Sequence, residues 1–491
     1  TETAKKKRGM PSSFTILLAL LAIVAVITVI VSGTSGGEVT AARLSDFCTA
    51  PILGFADALP VCLFVMILGG FLGMMTETGA LDNGIAVLVQ KLKGNEIMLV
   101  PVLMLIFSLG GTTYGMCEET VPFYALLAAT MMAAGFDPMV GAATVLLGAG
   151  CGCLGSTVNP FAVGAAVDAL TGVDIAVNQS IIIGLGGVLW LVTTVMSIVF
   201  VMNYAKKVKA DKGSTILSMQ ELEDAEAAHG KAASEVNKEV KLTGRQKGVL
   251  IAFAFTFVVM IVGFIPLADL NEGVANFFDA GAVYDADGNA VVQGWSALIT
   301  GLPIGQWYFD EASTWFFLMA ILIGIIGGLS EKQIVNTFIT GAADMMSVVL
   351  VIALARGISV LMANTGLDVY VLDAAANALA GLSGVIFAPM SFLVYFGLSF
   401  LIPSTSGMAT VSMPIMGPLA VKLGFSPEVM VMIFSAAIGV VNLFTPTSGA
   451  IMGGLALAKI EWTTWLKFAL KLIVALSVVC AVILTVACVM L

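Results

Sequence analysis

The 491-residue sequence predicts an all-α polytopic membrane protein made of two inverted repeats, each with a re-entrant hairpin and a broken helix. Three observations carry that expectation. First, 59% of residues are hydrophobic, 11% are charged and mean hydropathy is +1.03, so many runs approach the roughly 20 apolar residues that cross a bilayer. Second, residues 110–164 set two adjacent carboxylates (Glu118, Glu119), a run of hydroxyls and an Asn-Pro break among apolar segments. Polar groups and irregular backbone survive at membrane depth only where protein or a water-filled cavity satisfies them. Third, the pattern returns. Thr113-Tyr-Gly115-Met116 matches Thr405-Ser-Gly407-Met408, and Pro122 matches Pro414, at a shift of 292. Gly135-Phe136-Asp-Pro138 matches Gly424-Phe425-Ser-Pro427 at a shift of 289, which sets Ser156–Pro160 against Thr445–Gly449 and Gly164 against Gly453. Polar, Gly/Pro-interrupted segments at matching places in two halves point to a secondary-transporter binding site.

The elements follow in order. Residues 1–13 form a basic tail with Lys5, Lys6, Lys7 and Arg8, and the apolar run that follows is expected as an uncleaved helix with a cytoplasmic N-terminus. Residues 14–204 form the first repeat. A span over about 58–77 leads to an amphipathic segment at the inner surface, Leu81 to Leu92. Arms over 96–109 and 121–134, each short for a crossing, predict a hairpin (96–134) with its tip at Glu118-Glu119; two ordinary helices joined by a loop are the alternative. A broken helix covers 139–170, interrupted at Ser156–Pro160, with Pro160 opening the second half. Residues 180–203 cross again.

Residues 205–247 hold nine Lys/Arg and form a cytoplasmic linker with a short surface helix near Leu217–Ala228. The second repeat, 248–491, carries no Lys or Arg from Gly248 to Glu331. Its acidic loop, 268–311, contains an Asp287-Gly288 turn and belongs outside, with Trp307, Tyr308 and Trp315 at the interface. A span over 313–328, an inner-surface segment over Ser330–Met345 and an outward span over 347–362 follow. The last counters the inward 58–77, hence the inversion. A hairpin (384–422, tip at Pro403–Gly407), a broken helix (427–458, interrupted at Thr445–Gly449) and a span over 465–489 complete the chain, with Trp462 and Trp465 at the inner end of that span.

The formal charge of −10 and pI near 4.7 argue against nucleic acid. Six of the seven Cys (Cys62, Cys117, Cys151, Cys153, Cys480 and Cys488) lie within or beside apolar segments and read as small packing residues, and Cys151-Gly-Cys153 has no nearby His. The single His, His229, lies in the linker, so neither a nucleophile–base pair nor a metal cluster is available and no enzyme is expected. Glu118 and Glu119 are candidates to bind a cationic substrate or carry a proton, or else to cap a helix N-terminus. Ser156, Thr157 and Asn159 in one half, and Thr445, Thr447 and Ser448 in the other, offer oxygens beside a helix break. They are candidates for substrate, with Na⁺ at Ser156, Asn159, Thr445 and Ser448, or they satisfy freed backbone groups. Thr112, Thr113, Ser404, Thr405 and Ser406 carry the same two readings. Arg356, inside an apolar run, either binds a substrate carboxylate or pairs with a scaffold group. Asp344, Asp137 and Glu77 are expected near the interfaces.

The chain resembles the YfcC-type carriers of the DcuC-like anaerobic dicarboxylate-carrier family, in the ion transporter superfamily, over 14–490. The stretches that carry the resemblance are Gly110–Phe123 with its Glu-Glu-Thr-Val-Pro, Gly155–Pro160, Ala355–Ile358, Pro403–Met408 and Thr445–Gly449. The resemblance implies scaffold and transport domains, an elevator-type motion, often a homodimer, and a bacterial cytoplasmic (inner) membrane. On that analogy Ser156, Thr157 and Asn159 form one clamshell motif and Thr445, Thr447 and Ser448 the other. The expected function is a secondary carrier working by alternating access, a basic amino acid (arginine/ornithine) antiporter. A Na⁺- or H⁺-coupled carrier of dicarboxylates, short-chain acids or peptides is the alternative, and a channel a weaker one. The expected partners are a small-molecule substrate and the bilayer, with no cofactor beyond Na⁺ or H⁺ as coupling ion.

Overall fold

The computed structural model describes all residues except 1–12, 82, 85, 86, 88–94, 236–240, 266, 271, 286–289 and 403. The basic tail, most of the 81–92 surface segment, the Asp287-Gly288 turn and Pro403 therefore lie outside the described residues.

The first half comprises α1 (Ser13–Ser32), α2 (Leu44–Asp57), α3 (Leu59–Glu77), α4 (Leu99–Tyr114), α5 (Val121–Ala133), α6 (Pro138–Leu154), α7 (Ala165–Thr171) and α8 (Gln179–Ala210). A linker helix, α9 (Met219–Glu235), follows. The second half comprises α10 (Gly244–Phe264), α11 (Phe309–Gly327), α12 (Glu331–Asp344), α13 (Met346–Thr365), α14 (Leu367–Leu379), α15 (Gly384–Leu401), α16 (Thr405–Lys422), α17 (Pro427–Val441), α18 (Gly449–Leu457) and α19 (Trp462–Met490). Among the described residues nine helical stretches are long and apolar enough to cross a membrane. A two-stranded antiparallel ribbon, β1 (Val283–Tyr284) with β2 (Ala290–Val292), sits in the acidic loop.

Two bodies emerge from the packing. In one, α2 lies along α13, α3 along α11 and α12, and α10 along α11. Glycines set these distances: a Cβ on Gly54 would come within 2.3 Å of the Gly357 nitrogen, and one on Gly69 within 2.5 Å of the Gly341 carbonyl. In the other body, α4, α5 and α8 pack on α6, while α15, α16 and α19 pack on α17. The helices α6 and α17 are almost wholly buried, start alike and meet each other. Asp137 Oδ1 accepts from Val140 N at one start, and Ser426 Oγ accepts from Val429 N at the other. A Cβ on Gly150 would strike Leu443, and one on Gly439 would strike Leu154. Adding 289 to the first pair gives Gly439 and converts Leu154 into Leu443, so the two contacts are reciprocal.

Carboxylates tie the halves together. Glu428 accepts from Asn178 N at 2.7 Å, and Glu221 on α9 accepts from Glu461 N at 2.9 Å. The linker helix also places His229 against the Leu457 carbonyl, 3.1 Å away. The linker is thus docked and not merely solvated. Burial pushes the His229 imidazole below its ordinary value; the Leu457 carbonyl opposes this and Lys459 adds to it.

Several local expectations shift. Helix α4 continues to Tyr114, past Gly110-Gly111, because those glycines let it press on α6: a Cβ on Gly111 would lie 2.2 Å from the Ala149 carbonyl. Asp137 is buried, where it caps α6 and accepts from Tyr204 and Thr215. Trp307 is also buried and donates to the Leu302 carbonyl.

Candidate functional site

The two bodies meet where α13 and α3 face the hairpin tip, α5 and α18. A cavity of about 180 Å³ lies at this border. Its polar wall includes Glu118, Glu119, Asn159, Arg356, Ser404, Thr405, Ser406, Thr447 and Ser448. Thr112, Thr113, Ser156, Thr157 and Thr445 stand outside that wall.

The hairpin tip begins at Gly115, whose φ of 81° ends α4 in the left-handed conformation that glycine adopts without strain. The same glycine clears room for Asn159, since a Cβ there would lie 2.5 Å from Asn159 Oδ1. A short 3₁₀ turn, Glu118–Thr120, then presents the two carboxylates differently. Glu119 is 1% exposed and accepts from Cys117 N at 3.0 Å. Glu118 is partly exposed and shares the cavity wall with Arg356. Both carboxylates line the cavity, Glu118 the more open of the two and Glu119 buried with one oxygen held by the Cys117 amide.

The first helix break is closed upon itself. Thr112 Oγ1 donates to the Gly155 carbonyl at 2.7 Å, and the Thr112 carbonyl accepts from Thr157 N and from Thr157 Oγ1, both at 2.9 Å. Ser156 Oγ donates to the Cys153 carbonyl at 2.6 Å and accepts from Asn159 Nδ2 at 3.0 Å. Asn159 Oδ1 in turn accepts from Phe161 N and Ala162 N, opening the π-turn Pro160–Gly164. Thr113 Oγ1 donates to the Leu109 carbonyl.

At the second break Thr445 and Thr447 share a 2.7 Å hydroxyl–hydroxyl bond. The indole N–H groups of Trp462 and Trp465 take the freed carbonyls of Phe444 and Leu443. At the second hairpin Ser404 Oγ caps α16 by accepting from Gly407 N. The oxygens of Ser156, Asn159 and Thr445 thus all have protein hydrogen-bond partners beside the two breaks.

Arg356 has a partner that the sequence reading did not name: its Nε lies 2.9 Å from Asp57 Oδ2 at the end of α2. Asn442 and Ser435 also line the cavity and went unnoticed. The 289 shift would have found Asn442, which falls on Cys153, another wall residue. Stacked Phe161 and Phe309, 5.3 Å between ring centres, supply apolar wall. A separate cavity of about 850 Å³ opens beside the ends of α3, α5, α12 and α18, lined by Glu77, Asp344, His229 and Lys459 among others. Among the described residues no group of three His, Cys, Asp or Glu is arranged to hold a metal ion.

Comparison with known proteins gives a consistent picture. The family model described as "DcuC: C4-dicarboxylate anaerobic carrier" matches residues 39–489. A Haemophilus influenzae protein without characterisation is 29% identical over 443 residues, covering 90% of this chain and 78% of the relative. The YfcC protein of Escherichia coli K12, provisionally named a basic amino acid antiporter, is 27% identical over 440 residues, covering 87% and 77%. Two solved structures are similar at low identity. One is Neisseria gonorrhoeae MtrF, described among antimetabolite efflux pumps (17% identity, TM-score 0.44, covering 98% of this chain and 95% of that one). The other is the Alcanivorax borkumensis YdaH transporter (15%, TM-score 0.47, covering 96% and 97%).

Proposed function

The chain belongs to the DcuC family of anaerobic carriers, a family of multi-pass membrane transporters, and on that premise we propose that it exchanges cationic amino acids such as arginine and ornithine across the bacterial inner membrane. The observation that carries this reading is the charge of the cavity. Glu118 and Glu119 bring two carboxylates, whereas the one guanidinium on the wall, Arg356, is already paired with Asp57. Among the described wall residues Arg356 is the one cation a dicarboxylate would meet, and Asp57 already offsets part of its charge. A cationic side chain finds Glu118 open. The provisional name of the Escherichia coli relative is in line with this choice.

The motion we propose is an elevator. The body of α1–α3 and α10–α13 is the fixed scaffold, and the body built on α6 and α17 moves, with a homodimer as the working assembly. The reciprocal contacts of Gly150–Leu443 and Leu154–Gly439 support two inverted repeats, because a two-fold axis maps each contact onto the other. The N-terminus is then cytoplasmic and the acidic loop external. The second reading, a dicarboxylate carrier coupled to Na⁺ or H⁺, is favoured by the family description and by the hydroxyls of Ser404–Ser406 and Thr447–Ser448 on the cavity wall.

Purified protein in liposomes loaded with labelled arginine tests the choice. Release driven by external arginine or ornithine, and not by succinate, is the expected result. Succinate-driven release or Na⁺-dependent succinate uptake would replace this reading with the second.

A further inference from the structure

We propose that Arg356 is a fixed counter-ion that holds the unloaded carrier in place and so makes transport an obligatory exchange. The proposal rests on the substrate reading above and adds the device that couples outward to inward movement. Arg356 sits on α13, which lies backbone to backbone with α2. A Cβ on Gly54 would stand 2.3 Å from the Gly357 nitrogen, and one on Gly357 would stand 2.7 Å from the Ala50 carbonyl. Helices this close have no slack to slide, so the guanidinium stays with the scaffold. Asp57, on the same body, takes its Nε. Arginine has five N–H donors in a planar fork, so this pairing leaves the outer nitrogens available.

Glu118 sits on the other body, at the hairpin tip. It lines the same cavity as Arg356. The pair nonetheless is not in ion-pair contact; among the described residues Arg356 pairs with Asp57. A gap bounded by a mobile carboxylate and a fixed guanidinium has two ways to satisfy the carboxylate. When a cationic substrate is bound, Glu118 is neutralised by cargo that travels with it. When the site is empty, the nearest cation is Arg356, which does not travel. Moving the empty body then means leaving Arg356 and taking a bare carboxylate through a low-dielectric passage, which is costly. The loaded body moves and the empty one waits for new cargo.

The test reads the ratio of exchange to net efflux in proteoliposomes loaded with labelled arginine, with the membrane potential clamped. Efflux is followed into buffer with and without arginine. Wild type is expected to exchange at least about tenfold faster than it leaks, the factor that a 1.4 kcal/mol difference in barrier gives. In Arg356→Gln the ratio falls towards one, because the empty body is released; Arg356→Lys restores it. Asp57→Asn keeps the ratio at or above wild type, because the guanidinium is then unshared. A ratio that stays at the wild-type value in Arg356→Gln, with both fluxes scaled together, overturns the proposal. So does a ratio falling towards one in Asp57→Asn, which decides the matter if Arg356→Gln does not fold by thermal unfolding. A wild-type protein that moves no arginine at all defeats the substrate reading, and the counter-ion role with it. One that moves arginine with unaltered ratios in the variants defeats the counter-ion role alone.

Discussion

Glu118 and Glu119 are adjacent in sequence and unlike in setting. Both border the cavity, but Glu118 is partly exposed whereas Glu119 is 1% exposed and holds the Cys117 amide. Substitution should separate them. Glu118→Gln should weaken arginine binding by about tenfold or more, the equivalent of 1.4 kcal/mol for one lost charge pair, with little change in unfolding temperature. Glu119→Ala should destabilise the fold by about 1–3 kcal/mol, because a buried amide loses its acceptor, while Glu119→Gln retains an oxygen for that amide and most of the stability. Titration calorimetry and thermal unfolding in detergent read the two effects. Loss of binding in Glu119→Gln with Glu118→Gln intact would reverse the assignment. The carboxylates were legible in the sequence because charge inside an apolar stretch is rare. Their different exposure was not, since a 3₁₀ turn and one backbone hydrogen bond set it. Asp57 was missed for a related reason: it ends a short helix interrupted by Pro51, and its pairing with Arg356 spans 299 positions of sequence.

At the scale of the element, the hairpin tip depends on Gly115. Gly115→Ala is expected to cost about 1–2 kcal/mol for the left-handed backbone alone, and its methyl would also displace Asn159, which caps the π-turn. A fall in both unfolding temperature and transport is the predicted outcome; wild-type values for both would refute the role given to this turn. The linker helix offers a pH test. The docked His229 has its affinity for protons lowered, so the undocked state binds more protons as pH drops. Docking is therefore complete above the ordinary histidine value near 6.5 and is lost progressively as pH falls below it. Amide protection over 211–235, corrected for the intrinsic slowing of exchange in acid, should drop as pH falls below about 6.5 in wild type, and the added acid sensitivity should vanish in His229→Gln. Helix breaks were readable from Asn-Pro and Thr-Pro-Thr-Ser, because proline and clustered hydroxyls interrupt helices for local reasons. The docking of α9 was not readable: a charge-rich linker looks the same whether solvated or held by two long-range hydrogen bonds, one accepted by Glu221 from Glu461 N and one between His229 and the Leu457 carbonyl.

Over the whole molecule, the shift of 289 was the most informative signal. It aligned the starts of α6 and α17, their caps and their reciprocal glycine contacts. It also placed the clamshell hydroxyls of each half at a helix break, although several of them serve the backbone and stand off the cavity wall. Which helices pack together was harder to read, because that grouping is set by pairs such as Gly69–Gly341 and Gly54–Gly357, whose partners lie in opposite halves of the chain. What the whole molecule carries is decided at the cavity between the bodies, whose wall holds more carboxylate than unshared cation. The direct measurement is thermal stabilisation of the purified protein by arginine, ornithine, lysine, succinate, fumarate and a dipeptide, each with and without Na⁺, since a ligand that binds the folded state raises its apparent stability by mass action. Stabilisation by the basic amino acids, independent of Na⁺ and lost in Glu118→Gln, is predicted. Stabilisation by succinate in the presence of Na⁺, with no response to arginine, would contradict it.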